Sequence, residues 1–311
     1  MGADLVFATS GTTGEPVRWL RTAAQVRAEA ELLAVLCDAG DADGIVCYPP
    51  PAHLYGHLMG RALPDLLGLP VRRVGLTEPA RDAFAGLRRP VVAALPAALA
   101  HLSRALPLLR RLDRLTLVHS SALLPAAATR LLADLDGRAG LVELFGSTET
   151  GLVATRRDPL RPEWTLAPDV AFDADVPAGG EAPLRVRSPR LATRPGTAPA
   201  TRYTLDDLVD VVDARTFRWL GRRSRLVKVN GRRVNLDLVT DTLRGEVGAD
   251  AVPEHVVTCR PHRDDLRGEW FSVRVASGDP AVLAAVTAAC RRLPAWQQPR
   301  SIEPVPERIT T

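Results

Sequence analysis

The chain has almost no lysine. Among 311 residues and 40 lysines and arginines in all, Lys228 is the only lysine, and the arginines are scattered along the sequence. A basic stripe interleaved with aromatics is missing, so nucleic acid is not expected as a partner. The formal net charge of +4 is mild; such a field suits nucleotides, coenzyme A or an acidic carrier protein equally well. Cysteine is scarce too. Cys37, Cys47, Cys259 and Cys290 form no C-x-x-C pair, which predicts buried thiols and argues against a disulfide framework or a metal cluster. No apolar run approaches the ~20 residues of a membrane span, and no secretory leader precedes the first motif. The expectation is a cytoplasmic protein with no membrane partner, long enough to bury a large core and to divide into two domains.

What the sequence does have begins at once. In "FATSGTTGEP", residues 7 to 16, Gly11 and Gly14 can take positive φ and expose successive backbone N–H groups, and Thr9, Ser10, Thr12 and Thr13 add four hydroxyls. Such a loop can wrap anionic oxygens. A Walker loop would end in Gly-Lys-Ser/Thr, but Glu15-Pro16 follows Gly14 here, which excludes an ordinary P-loop NTPase. On its own the stretch reads equally well as a polar surface turn.

Patterning then gives the organisation. Thr22 and Gln25 form a capping box for a helix that Gly40 should stop. Short apolar strands alternate with helices after it: "GIVCYPP" with a helix beginning near His57, "VRRVGL", "PVVAALP" with "AALAHLSRAL", "RLTLVHSS" with "PAAATRLLADL", and "LVELFG". This alternation implies a layered α/β sheet. From about residue 165 to 222, shorter strands and turns ("EAPLRVRSP", "LVDVVD", "FRWLGR") suggest a small β subdomain. A compact α+β unit follows, with "NLDLVTDTLRGEV" and "DPAVLAAVTAACRRL" as helices and "HVVTCRP" and "WFSVRVAS" as strands. The candidate linker is Arg223-Ser224.

Two more stretches carry chemistry. In "ELFGSTETG", Phe145 precedes a turn at Gly146 that presents Ser147, Thr148 and Glu149, a hydroxyl for phosphate and a carboxylate for Mg²⁺ beside a ring able to stack on a base. In "YTLDDLVDVVD" and "FRWLGRRSRLVKVNGRRVN", Asp207 and Arg222 are an acceptor and a forked donor suited to a ribose diol, or else ordinary surface charges.

In order and content these segments resemble the adenylate-forming superfamily: acyl- and aryl-CoA synthetases, adenylation domains of nonribosomal peptide synthetases, and firefly luciferase. "ATSGTTGEP" is similar to the family's phosphate loop and "LFGSTETG" to its aromatic-Gly-x-Thr-Glu motif. "YTLDDLV" is similar to Y-x-T-G-D-L-V, and "GRRSRLVKVNGRRVN" to G-R-x-D-x-x-V-K-x-x-G-x-R-V-E. The resemblance covers essentially the whole chain. It implies an α/β fold: a truncated large adenylate-forming domain over 1–223, made of a layered sheet plus a small β subdomain, followed by a small, mobile α+β domain over 224–311. It further implies that Thr9, Ser10, Gly11, Thr12, Thr13 and Gly14 embrace ATP phosphates, Phe145 and Gly146 meet adenine, and Thr148 touches the α-phosphate. Glu149 would hold Mg²⁺, Asp207 and Arg222 would bind ribose, and Lys228 would face the active site in the thioester-forming pose. "PPPAHLYGHLMG" is similar to P-x-x-H-x-Y of aryl-CoA ligases, which makes His53 and Tyr55 walls or gates of an acyl pocket; a packed histidine capping a helix start is the plainer reading. Ser120 and Ser121 stand where the family has two glycines on the pocket floor, favouring a small or aromatic acid.

The implied reaction is activation of a small carboxylic acid to an acyl adenylate and its transfer to a thiol of coenzyme A or of carrier-protein phosphopantetheine. The alternatives are a scaffold that binds ATP or AMP without turnover, or a split enzyme. Three departures bear on the choice. The family's phosphate loop usually ends Pro-Lys where this chain has Pro16-Val17-Arg18, Ser224 replaces the hinge aspartate, and no lysine fills the family's terminal Gly-Lys element. The segment that precedes the phosphate loop in typical members is also missing here, which leads to the expectation of a homodimer contact or partner chain over the exposed flank.

Overall fold

The computed structural model describes residues 4–10, 16–120, 124–173, 179–229, 232–247, 256–264 and 268–305. It divides into two compact units, the first Met1–Leu205 with Asp210–Arg218, the second Asp206–Val209 with Trp219–Thr311.

The first unit opens with a hairpin. β1 (Leu5–Ser10) and β2 (Pro16–Arg21) pair antiparallel along their full lengths, from Leu5↔Arg21 to Ser10↔Pro16. The strand "DLVFA" is thus present, but its partner is β2, which no periodicity in "PVRWLR" announces. Helix α1 (Ala23–Leu36) starts as its capping box requires, with Gln25 N donating to Thr22 Oγ1 at 3.1 Å and Thr22 N donating to Gln25 Oε1 at 3.0 Å. It stops before Gly40: Asp38 takes the left-handed conformation at φ +49° and the chain tightens into a 3₁₀ turn over Ala39–Asp41. A side chain able to hydrogen-bond locally tolerates this region, and here it does the work expected of glycine.

The elements then follow as β3 (Gly44–Cys47), α2 (Leu54–His57), α3 (Leu63–Leu67), β4 (Val71–Arg73), α4 (Ala80–Phe84), β5 (Pro90–Ala94), α5 (Pro96–Arg104), α6 (Leu106–Leu109), β6 (Leu115–His119), α7 (Ala126–Asp134) and β7 (Ala139–Ser147). A π-helical turn, Leu58–Ala62, joins α2 to α3. The helix expected near His57 therefore begins at Leu54. Within it only glycine fits at position 56, where any Cβ would run into the Pro49 and Pro50 carbonyls.

β7, β6, β5, β3 and β4 lie side by side in that order, all parallel. β3, β5 and β6 are buried along their whole lengths, as strands covered on both faces must be. Val92, Leu99, Leu117 and Leu131 pack on one side with Phe84 and Leu109. β8 (Gly151–Arg156) and β9 (Glu163–Leu166) continue the sheet antiparallel from β7. β10 (Ala171–Phe172), β11 (Gly180–Arg187), β12 (Arg202–Val211) and β13 (Thr216–Arg222) complete eleven strands in the order β10-β11-β12-β13-β9-β8-β7-β6-β5-β3-β4. The short, turn-rich strands expected after residue 165 are present and belong to this same sheet.

The second unit adds β14 (Leu226–Val229), β15 (Arg232–Asn235), α8 (Leu236–Val247), β16 (Val257–Asp264), β17 (Gly268–Val275), α9 (Pro280–Arg292) and β18 (Ser301–Pro304). β14 and β15 pair antiparallel, as do β16 and β17, while β18 runs parallel to β17. Val234, Leu243, Phe271 and Val286 form its core. All four cysteines are buried free thiols, and burial pushes each up to about 11 or 12. Among the described residues, no helix is long and apolar enough to cross a membrane.

Candidate functional site

In a parallel sheet the crevice for ligands lies beyond the carboxyl ends of the strands. Here β6 delivers Ser120 and β7 delivers Ser147 at that edge, and α2 covers it with His53 and Tyr55. Together they line a cleft of about 180 Å³ in the first unit, with Phe145, Gly146 and Thr148 on its wall. Seven residues named from scattered sequence motifs thus converge on one cavity.

Their surroundings differ. Tyr55 is half-buried and donates its hydroxyl to the Val118 carbonyl on β6 at 2.8 Å. Burial holds its phenol well above the ordinary value, so Tyr55 is a fixed neutral wall. His53 is exposed at the N-cap of α2 but makes no side-chain cap bond, which leaves its ring at the rim of the cleft. Phe145 is half-buried, with Trp164 and Phe217 edge-on to it at 5.3 Å and 5.6 Å between ring centres.

The turn after β7 is tightly specified. Ser147 N donates to Thr150 Oγ1 at 3.1 Å, Thr150 N to Ser147 Oγ at 3.3 Å, and the Thr150 hydroxyl to the Gly151 carbonyl at 3.0 Å. The pairing of β7 with β8 slips by one residue at Phe145/Gly146, and only glycine fits at 146 because a Cβ would collide with the Gly151 carbonyl. Gly151 itself sits at φ +67°. Between them, Thr148 and Glu149 are half-buried.

Beneath this turn lies a charge cluster that the sequence reading missed. Arg21, Glu29 and Arg190 are 0%, 2% and 1% exposed. Arg21 Nη1 donates to Glu29 Oε2 at 2.8 Å, and its Nε and Nη2 both lie 3.3 Å from the Thr148 carbonyl. Leu152 N donates to Glu29 Oε1 at 2.7 Å. Arg190 grips Asp169 with Nε at 2.7 Å and Nη2 at 2.9 Å, and Nη2 also donates to the Leu152 carbonyl at 2.7 Å. Charges taken this far from water persist only when paired and hydrogen-bonded. The signal available in the sequence was Glu29 itself, a carboxylate on the face of α1 that otherwise buries Val26, Ala30 and Leu33.

The same cluster ties the β1–β2 hairpin to the turn after β7. Leu20 and Thr193 exchange backbone hydrogen bonds at 2.8 and 2.9 Å, and the next residue back, Ala192, donates its N–H to the Glu149 carbonyl at 2.8 Å. Thr9 is half-buried at the end of β1 and Ser10 closes that strand; Gly11, Thr12, Thr13 and Gly14 lie outside the described residues, as does Ser121.

Asp207 and Arg222 belong to the second unit. Burial raises the Asp207 carboxyl above the usual range, opposed by a hydrogen bond from Trp219 and by the nearby Arg222 guanidinium. Lys228 is on β14 opposite Arg233, its side chain outside the described residues. Among the described residues no three His, Cys, Asp or Glu side chains gather as a ready metal centre.

A family model described as "AMP-binding enzyme" matches residues 5–175. Two curated relatives, the 4-coumarate--CoA ligases of Rhodobacter capsulatus and Halorhodospira halophila, are each 30% identical, over 80% and 81% of this chain. The chain spans 60% of the length of each. Among solved structures, the O-succinylbenzoate coenzyme A synthetase of Bacillus subtilis, in complex with ATP and magnesium ion, aligns with a TM-score of 0.71 at 17% identity, over 96% of this chain and 66% of that one. That likeness speaks to the fold. The family match spans more than half of the sequence and includes the hairpin, the cleft and the Phe145–Thr150 turn, and the chain belongs to the AMP-binding enzyme family.

Proposed function

We propose that the chain is an AMP-forming acid–thiol ligase for a small aromatic carboxylic acid. The observation that carries this reading is the cleft itself, where the acid-pocket candidates His53, Tyr55 and Ser120 meet the nucleotide-motif residues Phe145, Gly146 and Thr148. A reaction joining an acid to a nucleotide needs both sets on one cavity. Its size supports a one-ring acid, since a cavity of about 150 Å³ accommodates benzene. The 30% identity to two 4-coumarate--CoA ligases supports the same class.

In this reading an ionised carboxylate oxygen attacks the α-phosphorus of ATP, the bond from that phosphorus to the bridging oxygen breaks, and pyrophosphate leaves. A thiolate of coenzyme A or of a carrier-protein phosphopantetheine then attacks the acyl carbon, and AMP departs with the bonding pair. Both steps depend on positioning and charge stabilisation more than on covalent help from the protein. Thr9 to Gly14 hold the phosphates, Thr148 donates to the α-phosphate, Phe145 and Gly146 flank adenine, and Asp207 and Arg222 grip ribose. Lys228 serves the thioester-forming step, and the small domain pivots at Arg223-Ser224. Glu149 would hold Mg²⁺; one protein carboxylate fits an ion that takes its remaining ligands from phosphates and water. When bound, that ion supplies charge neutralisation.

The test is exchange of labelled pyrophosphate into ATP, dependent on each of a panel of aryl and short acyl acids. Stimulation by a one-ring aryl acid is the expected result. No exchange with any acid, while AMP still binds, would replace this reading with that of a nucleotide-binding scaffold.

A further inference from the structure

Asp207 stands on the wrong face of its strand for a carboxylate. Along β12, Leu205, Val209 and Val211 share its side and are buried, because alternate residues of a strand face the same way. Its neighbour across the hairpin answers this. Trp219, on β13, donates Nε1–H to Asp207 Oδ1 at 2.7 Å. Both residues belong to the second unit and both are half-buried. Indole is a donor only, on a rigid ring, so this contact fixes the carboxylate in a single orientation as an acceptor. Among the described residues nothing donates to Oδ2. Arg222 and Asp206, neighbours in charge, are both exposed.

We propose that Trp219 is a positioning residue for nucleotide binding: by holding Oδ1 of Asp207, it leaves Oδ2 directed as the acceptor for a ribose hydroxyl. This rests on the reading that Asp207 binds the ribose of an adenine nucleotide. Trp219 touches no substrate in this arrangement. Its effect passes entirely through the carboxylate, which makes it separable from packing: a phenylalanine fills similar space without the N–H.

The experiment compares AMP with 2′,3′-dideoxy-AMP on the full chain, for the wild type, Asp207→Asn and Trp219→Phe. The wild type should prefer AMP by about tenfold, the worth of one hydrogen bond to a charged group. Trp219→Phe should lose most of that preference while its affinity for the dideoxy nucleotide stays unchanged, and that unchanged affinity also certifies its fold. Equal weakening toward both nucleotides, or an intact preference, would overturn the proposal and leave Trp219 a packing residue. A wild type without preference, or an Asp207→Asn variant that keeps it, would instead overturn the ribose assignment on which the proposal stands. If Trp219→Phe does not fold, the wild type carries the test through its Trp219 indole N–H resonance. That signal should shift on titration with AMP and stay still with the dideoxy analogue; a signal unmoved by AMP overturns the proposal.

Discussion

Arg21 reaches the Thr148 carbonyl with two of its nitrogens, 3.3 Å each, from a side chain that is fully buried. It is the last residue of β2, and Thr148 is in the turn after β7, 127 positions later. One guanidinium therefore ties the end of β2 to the turn after β7. The coupling is stiff because Arg21 has little freedom of its own: Glu29 holds it at 2.8 Å, and Glu29 is in turn held by Leu152 N.

Breaking this cluster from one side should be costly. Glu29→Ala leaves Arg21 and Arg190 buried together without their shared anion, and loss of one partner from a buried ion pair typically costs about 3–5 kcal/mol. Arg21→Met should cost less, because Glu29 keeps Arg190 Nη1 at 3.4 Å and Leu152 N at 2.7 Å, and the double variant should cost less than the sum of the two. Urea unfolding of the three variants checks this. Additive losses would mean that the two side chains act independently.

The turn above the cluster offers a sharper comparison. Gly151 and Gly137 both have positive φ, at +67° and +73°, but a Cβ at 137 would meet nothing within 4 Å, whereas at 151 it would lie 2.7 Å from Arg21 Nη2 and closer still to Glu29. Alanine at 137 should cost only the left-handed penalty of about 1–2 kcal/mol. Alanine at 151 should cost more than that and lower pyrophosphate exchange as well, because the Thr148–Glu149 backbone must shift. Equal melting temperatures for the two variants would show that the cluster yields without strain.

How far the sequence revealed this site depends on the kind of residue. The motif residues were legible because their chemistry is local: Gly146, Ser147 and Thr148 follow one another, and the capping box at Thr22 and Gln25 spans a single turn. The strands β3, β5, β6 and β7 announced themselves as continuous apolar runs. What stayed hidden depends on distance in sequence. Nothing near Arg190 suggests that it shares a buried pocket with Glu29, and β2 gave no alternation to mark it as the partner of β1. Gly40 misled for a different reason: an aspartate two residues earlier had already taken the left-handed turn.

Tyr55 separates wall from chemistry. Tyr55→Phe keeps the cavity's shape and removes only the hydrogen bond to the Val118 carbonyl, so stability should fall by about 1 kcal/mol with the order of preferred acids unchanged. Tyr55→Ala opens the cleft beside β6, and bulkier acids should then gain in the exchange assay relative to the best wild-type acid. If Tyr55→Phe reorders the acids by itself, the hydroxyl contacts substrate and the Val118 bond is not its resting state.

His119 gives the fold a dependence on pH whose sign can be worked out. It ends β6 in the buried layer, and its imidazole is pushed down to about 4, first by burial and then by the Arg156 guanidinium. That guanidinium stays beside it because Glu143, paired with His119 across the strands, holds Arg156 at 2.6 and 3.0 Å. In the unfolded chain a histidine titrates near 6.5. Between about pH 6.5 and 4 the unfolded state therefore binds a proton that the native state refuses, and stability must fall as pH falls through that window. Above it the contribution is complete; across it the loss from this one group amounts to about 3 kcal/mol at most. Urea midpoints of the wild type and of His119→Asn, taken at pH 7.5, 6 and 5, isolate the histidine from the carboxylates, which titrate in both proteins. The wild type should lose more stability than the variant over this range, and parallel pH profiles would mean that His119 takes up its proton without unfolding the sheet.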